Sequence, residues 1–133
     1  MDFELPVPPS CNRIWRNVGQ RTLLSREGRT YRTVVCSILA TKYCINKPLS
    51  GPLSIEILIH PPDRRRRDID NSIKALLDAL QHGGAYHDDS QIVWLLARKC
   101  PPIQGGLVNV HLEETDECNF PNATRREAPV SQV

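Results

Sequence analysis

Residues 53–60 alternate Leu53, Ile55, Ile57 and Ile59 with Ser54, Glu56, Leu58 and His60. A period of two predicts a strand buried mainly on one face, and Pro61–Pro62 stop it. Further on, Ile73, Leu76, Leu77 and Leu80 stand at i, i+3, i+4 and i+7. That spacing predicts an amphipathic helix over 71–81, ended by Gly83–Gly84. Upstream, Phe3, Leu5 and Val7 alternate before Pro8–Pro9, as in a short strand closed by proline. Residues 11–25 show no period. Tyr31, Val34, Val35, Ile38 and Ile45 recur at near-helical spacing, predicting a helix from about Glu27 to Ile45 with Ser25 as its cap. The segment 46–52, with two prolines and a glycine, is a loop. The apolar run 90–99 predicts a buried strand, and after Pro101–Pro102 and Gly105–Gly106 residues 107–112 alternate as a last one. The order β-α-β-α-β-β predicts an α+β domain over 1–115: a single mixed β-sheet with two packed helices. Residues 116–133 lack periodicity and read as a flexible tail.

Composition narrows the class. No run approaches the ~20 apolar residues that span a bilayer, so no membrane partner is expected. The opening MDFELPVPPS carries no basic and apolar signal pattern, which points to a cytoplasmic protein. Five cysteines, odd in number and without a C-x-x-C pair, do not form a structural zinc pattern. Cys36 and Cys44 fall on the first predicted helix and read as small buried hydrophobes. The net charge of +2 hides an asymmetry. Between Cys11 and Lys47, six Arg and two Lys face Glu27 alone, a local +7 suited to phosphate.

Chemistry concentrates in HPPDRRRRDIDN, residues 60–71, where four arginines abut two aspartates. Asp68 and Asp70 at a helix entrance have a structural reading as cap and first-turn acid, with Lys74 four residues beyond Asp70. The other reading brings in Asp88–Asp89. The helix spans roughly 15 Å, the glycines let the chain reverse, and a following strand is expected to return Asp89 to the helix entrance. Three carboxylates there need a cation, and Mg²⁺ suits an all-oxygen set with phosphate nearby. An EF-hand is excluded: Ile73 and Ala79 stand where its Gly and Glu belong. Elsewhere Trp15 and Trp94 read as packing residues, His82 and His87 as exposed loop residues, and Asp78 as a surface ion-pair partner of Lys74.

DRRRRDIDNSIKALLDAL followed by HDDSQIV resembles the core of the RusA Holliday junction resolvases, and PPSCNRIWRN resembles that family's opening segment. The similarity covers most of residues 5–112, with Cys11 departing from the Asn expected there. The resemblance implies a homodimeric, Mg²⁺-dependent endonuclease that binds four-way junction DNA and nicks two strands symmetrically. It implies Asp68, Asp70 and Asp89 as catalytic acids and metal ligands, and Lys74 as an assisting lysine. Arg64, Arg65, Arg66 and Arg67, with Asn12, Arg13 and Arg16, are the candidate DNA contacts. A non-catalytic basic binding module and a general structure-selective nuclease are the rival expectations.

Overall fold

A computed structural model describes residues 1–9, 15–18 and 21–116. Its elements are β1 (Asp2–Leu5), β2 (Trp15–Val18), β3 (Arg21–Leu24), α1 (Arg26–Thr41), β4 (Leu53–His60), α2 (Ile69–His82), a short 3-10 turn (Asp89–Gln91), β5 (Ile92–Lys99) and β6 (Leu107–Glu114). Four strands form one mixed sheet in the order β1-β6-β4-β5. β4 pairs parallel to β5 through the α2 crossover, and antiparallel to β6, which in turn holds β1. The α+β class and the single large mixed sheet agree with the sequence pattern.

Period two decides which face is buried. Ile55, Ile57 and Ile59 stand opposite Leu112, Val110 and Val108, and with Phe3 and Leu5 they form the apolar face. Tyr31, Val35 and Leu39 of α1 and Leu76, Ala79 and Leu80 of α2 complete that core. Gly83 lets the helices approach: a Cβ there would meet Leu39 Cδ1 at 2.5 Å. Gly84, at φ +83°, then takes a backbone conformation that costs other residues strain.

Several expectations are corrected. The segment 11–25 is not wholly irregular, because β2 and β3 pair as an antiparallel ribbon. Helix α1 ends at Thr41, before Ile45. Its buried stripe is Gly28, Tyr31, Val35 and Leu39, with Val34 exposed. Cys44 lies beyond that helix, exposed and at φ +54°, so it is no core residue. Strand β5 is an edge strand whose Val93 and Leu95 are more than 40% exposed, and Trp94 is only half-buried. The predicted tail, apart from Asp116, lies outside the described residues, as do Asn12 and Arg13; of Arg16 only its place on β2 is described. None of the described helices is long and apolar enough to cross a membrane.

Topology separates the two acidic motifs. β4 ends, and α2 begins, at one end of the sheet. The helix runs back to the other end, where the 3-10 turn leads into β5. Only the end of β5 returns, and there Lys99 Nζ donates to the carbonyl of Arg67.

Candidate active site

The arginine loop curls around Asp63. Its Oδ1 accepts the Arg65 amide at 2.9 Å and Arg67 Nη1 at 2.7 Å. Arg67 Nη1 also reaches the carbonyls of Asp63 and Arg65. The Arg67 hydrogen bond, helped by the Arg65 amide, holds the Asp63 carboxyl down at about 2. Arg67 is therefore engaged within the loop. Arg64 and Arg66 are exposed and make no ion pair or hydrogen bond among the described residues. Two exposed guanidinium groups thus stand on a loop fixed by a third.

Immediately after this loop, Asp68 occupies the N-cap position of α2 in extended backbone, φ −85° and ψ 130°. Its carboxylate makes no capping hydrogen bond, although Asp is a favoured cap. The structural role the sequence offered for Asp68 is not exercised. Asp70 lies in the first turn, where the helix dipole favours a negative charge. Lys74 follows one turn later, and all three side chains are exposed. Asp78 has a different partner from the one expected. Its Oδ2 accepts Arg32 Nε at 3.1 Å and Nη2 at 2.9 Å, tying α2 to α1.

Asp89 is not beside this entrance. Its backbone amide donates to Gln81 Oε1 at 3.0 Å, and its Oδ1 accepts from Tyr86 Oη at 2.7 Å. The same hydroxyl lies 2.8 Å from the Leu77 carbonyl. Asp89 is therefore level with residues 77–81, and Leu77 alone is seven residues, or ~10 Å of helix rise, beyond Asp70. The expected return of Asp89 to the helix entrance fails because the chain re-enters the sheet at the opposite end. Among the described residues no three His, Cys, Asp or Glu side chains gather as a metal-holding group. Asp88 has a separate task. Its Oδ2 accepts the Ser90 amide at 2.9 Å, and hydrogen bonding from the Ser90 side chain, helped by that amide, keeps its carboxyl below the usual range. Gln91 completes this capping box and anchors the turn to the carbonyls of Leu49 and Gly51.

Residues 5–113 match the family model of Endodeoxyribonuclease RusA. The chain belongs to the RusA endodeoxyribonuclease family. Crossover junction endodeoxyribonuclease RusA of Escherichia coli strain K12 is 42% identical to it over 110 residues, covering 83% of this chain and 91% of that protein. The proteins of the same name from Shigella sonnei strain Ss046 and Enterobacteria phage 82 match to the same extent. In RusA terms the site has to explain hydrolysis of a DNA phosphodiester. The Asp68 carboxylate, which makes no capping hydrogen bond, and the Asp70 carboxylate two residues on offer oxygen donors beside the exposed arginines. That chemistry fits a hard cation such as Mg²⁺, which takes one or two carboxylates together with water and phosphate. Sequence reasoning missed Tyr86 and Gln81, which fix Asp89. Their signal was slight: Tyr86 stands three residues before Asp89, and Gln81 ends the predicted helix.

Proposed function

We propose that the protein is a homodimeric, Mg²⁺-dependent resolvase of four-way DNA junctions, making symmetric paired nicks in two strands. The observation that carries the reading is the pairing of an unengaged Asp68 with a pre-formed arginine loop at the start of α2. Arg64 and Arg66 bind backbone phosphates without reading bases, which suits an enzyme that selects a branched shape. Asp68 and Asp70 would hold the metal, and Lys74, one helical turn beyond Asp70, would offset charge developing on the phosphate. A Mg²⁺ ion held by these carboxylates would supply polarisation of the phosphodiester and a water of lowered pKa. Asp89 of the same chain lies too far along α2 to join this pair. The third carboxylate therefore comes from the partner subunit's Asp89, so each site is completed across a two-fold axis. A two-fold enzyme also matches a substrate with two equivalent strands to cut.

The test is incubation with a mobile four-way junction, with and without Mg²⁺, mapping nicks on all four strands. Symmetric nicks on two opposed strands, only with metal, are expected. Equal cleavage of flaps and forks would make the protein a general structure-selective nuclease, and binding without nicks would make it a non-catalytic module.

A further inference from the structure

Tyr86 is 1% exposed, yet its hydroxyl meets two oxygen acceptors, Asp89 Oδ1 at 2.7 Å and the Leu77 carbonyl at 2.8 Å. A phenol has one proton to give. The Leu77 carbonyl lies inside α2, where the helical pattern already supplies it with the amide of residue 81. A carboxylate is a stronger acceptor than a carbonyl, so the proton goes to Asp89 Oδ1. Asp89 is itself exposed on a three-residue turn, where an aspartate would otherwise rotate freely. Here one oxygen is held by a buried ring and the backbone amide by Gln81. The exposed residue makes no hydrogen bond through its other oxygen, Oδ2, among the described residues. Both grips come from, or rest on, α2, the helix whose start carries Asp68 and Asp70.

We propose that Tyr86 is a positioning residue for the metal site: its hydroxyl fixes the Asp89 carboxylate in the orientation that receives a divalent cation. The proposal rests on the reading of Asp89 as a metal ligand. Hydrogen bonds to a ligand fix its direction, and removing one commonly costs about 10–100-fold in metal affinity or activity. Tyr86→Phe keeps the ring in the core and leaves the Leu77 carbonyl its helical partner, so the fold is expected to persist.

The experiment titrates Mn²⁺, as a probe for the divalent site, into the intact homodimer by calorimetry, using wild type, Tyr86→Phe and Asp89→Asn. Melting temperature and metal-free junction binding are measured alongside. Tyr86→Phe is expected to weaken Mn²⁺ binding by about 10–100-fold with both controls near wild type. In cleavage assays the Mg²⁺ concentration for half-maximal rate should rise in parallel, while the rate at saturating Mg²⁺ recovers. A merely structural role would lower the melting temperature or the saturating rate without a selective change in metal dependence. If Asp89→Asn abolishes the site and Tyr86→Phe binds Mn²⁺ like wild type, Tyr86 does not position the ligand and the proposal falls alone. If Asp89→Asn also binds like wild type, the ligand reading falls and takes the proposal with it.

Discussion

Asp88 and Asp89 are chemically identical neighbours whose surroundings give them different work. Asp88 spends its carboxylate on the Ser90 amide, whereas Asp89 is gripped through one oxygen by Tyr86. Asn caps a helix start nearly as well as Asp, so Asp88→Asn should keep cleavage within a few fold of wild type. If Asp70 holds the metal as proposed, Asp70→Asn should retain junction binding and lose cleavage, because shape is kept while a charge is removed. Gel-shift titration without Mg²⁺ and single-turnover cleavage with it measure the two effects, and normal nicking by folded Asp70→Asn would remove Asp70 from the chemistry. The same contrast separates Lys74 from Asp78. Lys74→Ala should slow cleavage about 100-fold, the typical cost of removing one charge that stabilises a transition state. Asp78→Ala should leave cleavage within a few fold and lower stability by about 1–2 kcal/mol, because it abandons the half-buried Arg32 guanidinium. Melting curves and single-turnover rates read these outcomes, and equal, mild effects on rate would defeat the role of Lys74.

At the scale of elements, the arginine loop divides into groups that hold it and groups that it presents. Arg67 and Lys99 fasten the loop, the first through Asp63 and the second through the Arg67 carbonyl. Replacing Arg64 and Arg66 together by Ala should weaken binding across DNA sequences and reduce the salt slope by about one for each phosphate no longer neutralised. An unchanged slope would make them a solvated surface. Because Asp63 ionises with a pKa of about 2, the Asp63–Arg67 latch should persist to mildly acid pH and be lost only as pH falls towards that value. The strand β4 and helix α2 were legible in sequence because one periodicity determines both the element and its buried face. Strands β2 and β3 were not, since short hairpin strands carry too few residues to show a period. Helix α1 was legible in kind and wrong in detail. Val34 and Val35 are both apolar, and only packing against the sheet and α2 decides that Val35 is buried and Val34 exposed. The arginines and the paired acids were visible as chemistry, but the division of labour within the loop depends on which guanidinium reaches Asp63.

At the scale of the whole molecule, the decisive feature is a distance no local pattern encodes. Sequence spacing allowed the chain to fold Asp89 back to Asp68 and Asp70. The parallel pairing of β4 with β5 instead requires α2 to carry the chain the full length of the sheet before β5 begins. Asp89 enters at the far end as a consequence of that crossover. If each site draws Asp68 and Asp70 from one subunit and the partner subunit's Asp89, two inactive variants should complement each other. Asp70→Asn and Asp89→Asn homodimers should each be inert. In a mixed dimer, one site combines both substitutions, while the other receives an intact Asp70 and an intact partner Asp89. Mixing the two proteins under conditions that exchange subunits should therefore restore Mg²⁺-dependent cleavage, as single unpaired nicks in the junction. Sites built within one chain predict the opposite, because neither subunit of the mixed dimer then carries a complete set of acids. The measurement is nick mapping on a junction labelled on each strand, with subunit exchange verified by native mass spectrometry of differently tagged proteins. Verified mixed dimers that remain inert would return Asp89 to a role within its own chain.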